Sequence, residues 1–253
     1  MRTMTRRTLP VLAATALVGS LGVAPATAGS LGAGSLGAGS SGGDTTTLTA
    51  NITELNDSGV ESTAWLSLEG NELSVRIESQ GLLAGAPHAQ HIHIGGTNQC
   101  PSPDQVGTGF EGALRTTDAI DSYGAVQVSL TTEGDTSPAS ALAVDRYPVG
   151  DEAYSRTFTV TDEVAASLRS GEGSVVLHGV DHNGSGVYDG DQVSDLDPSL
   201  PSEATDPAAC GELNIDAMGS LSMGSLGGSL GSMGSSGSTG SLGSTGSLGS
   251  LGS

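Results

Sequence analysis

The 253 residues include 40 glycines and only 3% aromatics, and they carry a formal net charge of −20 at pH 7. That balance excludes nucleic-acid binding and adhesion to an anionic membrane surface, and it favours solubility and cation binding. Lysine is absent, and three of the eight arginines (Arg2, Arg6 and Arg7) lie near the N-terminus, so the rest of the chain is more acidic still.

Residues 1–28 read as an export signal. MRTMTRRT is basic, LPVLAATALVGSLGV is apolar, and APATA ends in small residues, with cleavage expected after Ala28. The apolar run is too short and too rich in small residues for a membrane span, so no transmembrane segment is expected in the mature chain. Arg6-Arg7 leaves a twin-arginine export route open beside the general one. Residues 29–43 (GSLGAGSLGAGSSGG) read as a Gly/Ser/Leu linker, and residues 217–253 as a low-complexity tail of GSLGS-like units. Composition makes both flexible and disordered. A plain linker or tail and a tether to a cell-envelope component are both open for them.

Residues 44–216 read as one globular domain. Thr46–Leu55 alternates in part, and Gly59–Glu69 follows an Asp57-Ser58-Gly59 turn. Glu72–Ser79 alternates Leu73, Val75 and Ile77 against polar residues, and Gly70-Asn71 supplies the hairpin. His88–Ile94, Ala125–Thr131 and Tyr154–Val160 read as further strands. Thr161-Asp162-Glu163 caps a short helix, VAASLRSG, ended by Gly171. Ser174–Val180 is apolar and reads as a buried strand. Short strands with turn signals and one short helix predict an all-β antiparallel sandwich or barrel.

The five histidines fall in two places. PHAQHIHIGGTNQC, residues 87–100, holds His88, His91 and His93, and VVLHGVDHNGSG holds His178 and His182. Residues i and i+2 of a strand share a face, so His91 and His93 project side by side. That suits two ligands on one metal ion. His178 ends an apolar run that reads as a buried strand, open to lying close by. Three imidazoles suit copper or zinc, and of these only copper has redox chemistry. A hydrogen-bonded core cluster is the other reading. His182 is either a fourth ligand or an exposed loop residue, and the loop is favoured. Around it, Asp181, Asn183, Ser185 and Asp189 fall at positions 1, 3, 5 and 9 of a calcium-type loop, with Gly186 at position 6. Gln192 stands where that loop needs a bidentate Glu, so a Gly/Asn/Asp turn is the alternative.

Taken in order from about residue 46 to 215, these segments resemble the copper/zinc superoxide dismutase family. GLLAGAPHAQHIHIGG is similar to its His-x-x-His-x-His segment, whose last two histidines bind copper; these correspond to His91 and His93, and His88 matches a structural histidine. VVLH is similar to the strand ending in another copper ligand, here His178. Cys100 follows at the family's distance, and AACGELNI resembles the closing strand that carries the second half of the family's disulfide, here Cys210. The resemblance implies a Greek-key β-barrel, a Cys100–Cys210 disulfide, copper as cofactor and superoxide as substrate. Two departures stand out. Residues 101–124 contain no histidine, so the family's zinc site and bridging ligand are missing. The family's anion-guiding arginine, three residues before the second cysteine, is replaced by Pro207. The chain also resembles the CHRD module, an extracellular β domain with a similar HIH segment, which usually lacks the cysteine pair. The expectation is a secreted or envelope copper-binding protein with weak superoxide dismutation, or a non-catalytic CHRD-like binding or structural module.

Overall fold

A computed structural model describes residues 45–216. The expected export signal (1–28), linker (29–43) and tail (217–253) lie outside the described residues. Nine strands run in chain order: β1 (Thr45–Glu54), β2 (Glu61–Glu69), β3 (Glu72–Gln80), β4 (Gln90–Ile94), β5 (Ala125–Ser129), β6 (Tyr154–Thr159), β7 (Ser174–His178), β8 (Pro207–Glu212) and β9 (Asn214–Ile215). Among the described residues two α-helices accompany them where one was expected, the single turn α1 (Ile120–Tyr123) and α2 (Asp162–Arg169), beside five short 3-10 turns. One turn is too short to show a 3.6-residue period, so α1 leaves no pattern in the sequence.

The strands form an antiparallel path in the order β5-β4-β7-β8-β1-β2-β3-β6, with β9 also on β1. The β3–β4 and β6–β7 connections cross from one half of the path to the other, which is Greek-key connectivity. The sheet curls so that one face is buried throughout. Ala64, Leu66 and Leu68 of β2 lie opposite Ile77, Val75 and Leu73 of β3 and are all buried, so the period-2 alternation fixes the register. Leu48, Ile52, Ile92, Val128, Tyr154, Val175 and Leu177 join them from the other strands. Each of these leucines, isoleucines and valines contributes about 1.5–3 kcal/mol by leaving water, so aliphatic burial holds this aromatic-poor domain together. The two end strands approach without a ladder: Arg156 of β6 donates to the carbonyl and hydroxyl of Thr131, just past β5. No helix among the described residues is long and apolar enough to cross a membrane.

Strand ends differ from the sequence pattern for local reasons. His88 lies outside β4 because its N–H donates to Pro148 O in a loop. The register of β7 shifts after Leu177, and Gly179 turns the chain away at φ +108°. A Cβ at Gly179 would meet Tyr188 Oη at 2.1 Å, so the close approach requires glycine.

Candidate metal centre

The curl that buries Ile92 on the inner face of β4 turns His91 and His93 to the outer face. Against β7 they register with Val176 and Ser174, and His178 follows two residues after Val176 on the same face. The three ring centroids lie 5.0 to 5.9 Å apart. A bulge between Ile92 and His93 on the β5 side bends the strand here. The structure therefore brings together the three histidines expected to form a site, each nearly inaccessible to water.

One nitrogen of each ring is held by a hydrogen bond. His93 Nδ1 donates to Gly124 O at 2.9 Å, and His178 Nδ1 donates to Thr205 O at 2.8 Å. His91 Nε2 lies 2.9 Å from Tyr147 Oη and 3.1 Å from Ala141 O, while the Tyr147 hydroxyl donates onward to Ser140 O at 2.9 Å. These partners assign the tautomers. The other nitrogens, His91 Nδ1, His93 Nε2 and His178 Nε2, are buried without a hydrogen-bond partner. The three residues place ligand atoms within 4.8 Å of one another. Three neutral imidazoles, each with one unpartnered nitrogen, thus sit close enough to share one cation. Burial is the main cause that keeps the rings neutral. It drives His91 well below its usual range, His93 down to about 3 and His178 to about 4, with the Thr205 hydrogen bond and then Asp195 opposing the shift at His178.

The walls come from the three long connections. Residues 95–124 bring Thr116, Ile120, Tyr123 and Gly124; residues 130–153 bring Ala141, Leu142 and Val144; residues 179–206 bring Leu196, Ala204 and Thr205. Each connection also supplies one of the orienting acceptors. Gly124 takes φ +87° and packs so closely that a Cβ would meet Ile94 O at 2.3 Å. The Tyr123 ring stands 4.5 Å from the His93 ring, and its hydroxyl donates to Thr116 O. Together they enclose a cavity of about 280 Å³ over the free nitrogens. A larger groove, about 530 Å³ and lined by Asp57, Asp104, Glu111 and Asp181, contains none of the three histidines.

The remaining candidates lie around this centre. His88 is fully buried, with Nδ1 2.9 Å from His178 O and Nε2 3.2 Å from Leu83 O, so it ties the end of β7 to the loop before β4. His182 is neither a ligand of the cluster nor an exposed loop residue. Its ring lies against Phe110 with a side chain 8% exposed, and its Nε2 is 3.0 Å from Asp206 Oδ2. That buried carboxylate demands a partner, which a composition-based reading of a Gly/Asn loop does not reveal. In the calcium-type loop, both Asp181 oxygens accept backbone N–H groups from Ser185 and Gly186. Asp189 Oδ1 accepts from Asn183 and Ser185. Buried Glu203 holds the amides of His182, Asp189 and Gly190. Cys100 and Cys210 form a disulfide with Cα atoms 5.7 Å apart, pinning the 95–124 connection to β8.

Tyr147 and the orienting carbonyls escaped the sequence. A carbonyl carries no side-chain signature. A signal existed for the tyrosines: the chain has four, and Tyr123, Tyr147 and Tyr188 each lie against a histidine.

A family model described as the CHRD domain matches residues 37–187. No curated protein matches the chain. The matched stretch holds β1 to β7, the three converging histidines and Cys100, while β8, Cys210 and the Thr205 acceptor follow it. On that match, which spans more than half of its length, the chain belongs to the CHRD domain family.

Proposed function

We propose that this domain is a secreted or envelope binding module that holds one copper ion through His91 Nδ1, His93 Nε2 and His178 Nε2. The observation that carries the reading is the set of three buried ring nitrogens without partners, on histidines whose ligand atoms lie within 4.8 Å of one another, while the opposite nitrogen of each ring is hydrogen-bonded. Leaving three buried acceptors unsatisfied costs about 1–3 kcal/mol each, which a bound cation offsets. Three nitrogen donors suit copper or zinc, and copper when bound supplies one-electron chemistry that zinc does not. The residues' own part is to stay neutral, to hold their lone pairs in place through Gly124, Thr205 and Tyr147, and to keep bulk water away behind apolar walls. The resemblance to copper/zinc superoxide dismutase supports the choice of copper.

The test is a copper titration of purified protein by electron paramagnetic resonance and calorimetry, beside a triple His91→Ala, His93→Ala, His178→Ala variant. One equivalent bound by the parent and none at that affinity by the variant is expected. Equal affinity in both overturns the assignment. Weak superoxide dismutation is a second reading, supported by the cavity that the three histidines help to line. Among the described residues no arginine lines that cavity: Arg115 is turned to Val193 O, and Arg146 to Ser140 and Glu133.

A further inference from the structure

The cavity over the three nitrogens has walls of an unusual kind for a site that handles a charged molecule. Its mouth is framed by Ile120, Leu142 and Leu196, which are 43%, 38% and 42% exposed although all are large and apolar. Four alanines and two valines supply much of the remaining lining. Its polar side chains have nothing left to offer. Thr116 Oγ1 donates to Thr205 O at 2.6 Å, and the Tyr123 hydroxyl to Thr116 O at 3.0 Å. Thr205 Oγ1 is shared between Ser194 Oγ at 2.7 Å and Ser202 O at 3.3 Å. All three imidazole N–H groups point out of the cavity, to the acceptors already described. No lining side chain therefore presents a free hydrogen-bond donor to an occupant. Among the described lining residues, the buried polar atoms left without a partner are the three ring nitrogens, on side chains more than nine-tenths buried.

We infer that this cavity is a hydrophobic ligand pocket built on the metal centre, taking a neutral molecule with one lone-pair donor atom on a small hydrocarbon body. The inference rests on the copper reading for the donor atom and on the walls for the body. The donor atom would take the open side of the centre. The hydrocarbon would lie against Leu142, Leu196 and Ile120, where it leaves water at no polar cost. A volume of about 280 Å³ suits a fragment-sized body and is below the range of extended peptides or drug-sized ligands. An oxyanion would meet no side-chain donor to replace its hydration.

The experiment is a homologous series on copper-loaded protein: imidazole, then 1-methyl-, 1-ethyl-, 1-propyl- and 1-butylimidazole. Each is titrated by the copper ligand-field band after metal content is measured. Each added methylene is expected to raise affinity about fourfold until the cavity is full, a gain set by apolar burial. Leu142→Ser and Leu196→Ser, each compared with its own imidazole affinity, are expected to flatten the rise. Affinity independent of chain length in the parent overturns the inference. The same series is run on metal-free protein, followed by amide chemical shifts of Leu142 and Leu196. If the parent takes up no copper, the metal reading fails by itself. The pocket is then decided by that second series: a rise with chain length upholds the hydrocarbon pocket, and no rise overturns it.

Discussion

Reducing the Cys100–Cys210 bond is the perturbation whose size follows most directly from the structure. The bond spans a sequence separation of 110 residues, linking the connection after β4 to β8. In the chain-entropy account, closing a loop of that length removes about 4–5 kcal/mol worth of freedom from the unfolded ensemble. The folded state has little to lose locally, because the same loop keeps other ties. Cys100 N–H donates to Glu212 Oε1, and Gln99 N–H to Ser122 O. The cost therefore falls on the unfolded side, and the native fold persists after reduction. Urea unfolding of metal-free protein, oxidised and reduced, measures it on one sequence, with no packing change. Taking a slope of about 2 kcal/mol per molar, typical of small domains, the midpoint should fall by about 2 M. The slope should steepen, since the reduced chain unfolds to a more open state. A Cys100→Ser, Cys210→Ala protein should match the reduced form, less a small loss where Cys210 packs with Leu55, Tyr123 and Val176. A stability difference below about 1 kcal/mol, in protein whose thiols titrate only after reduction, would refute the reasoning.

Tyr147→Phe leaves His91 Nε2 only Ala141 O, and copper affinity should drop about tenfold by competition against a chelator; no change would show that the hydroxyl does not orient the ring. Gly124→Ala forces a side chain onto a φ of +87° and against Ile94 O, and should destabilise the fold by about 1–3 kcal/mol in thermal or urea melts. Metal-free protein should be fully stable above pH 6.5 and lose stability as pH falls towards 4. Burial lowers His93 to about 3 and His178 to about 4 in the folded state, so the unfolded chain takes up protons first; a urea midpoint flat from pH 7 to pH 5 would contradict this. Any superoxide decay catalysed by the copper-loaded protein should be slow and should speed up with added salt, because the net field of a −20 chain repels the anion; a fast rate that falls with salt would reveal a steering cation.

The sequence made the β architecture readable wherever one face alternates, as in Leu73, Val75 and Ile77, since period-2 burial leaves a direct trace in residue type. The histidine spacing was readable for the same reason: His91 and His93 share a face because of strand geometry alone. His178 could be placed beside them only through resemblance, because strand pairing between β4 and β7 is a long-range property that no local pattern encodes. What stayed hidden was the machinery made of backbone. Gly124 O, Thr205 O and Ala141 O act through position, and a glycine, a threonine and an alanine look ordinary in a loop. His182 was misread because its partner, Asp206, lies 24 residues later and becomes a neighbour only after β8 folds back.

Each of the three long connections is fastened to the centre by a single histidine N–H, so the local opening of any one of them releases a ring to rotate. Integrity of the centre and closure of the connections are therefore one coupled equilibrium. An occupant present at a hundred times its dissociation constant stabilises the closed state by about 2.7 kcal/mol. That protection spreads to residues 95–124, 130–153 and 179–206 together, so their amide hydrogen exchange should slow in concert. A bound ion would act as a clasp across the three connections, added to the disulfide that already pins residues 95–124 to β8.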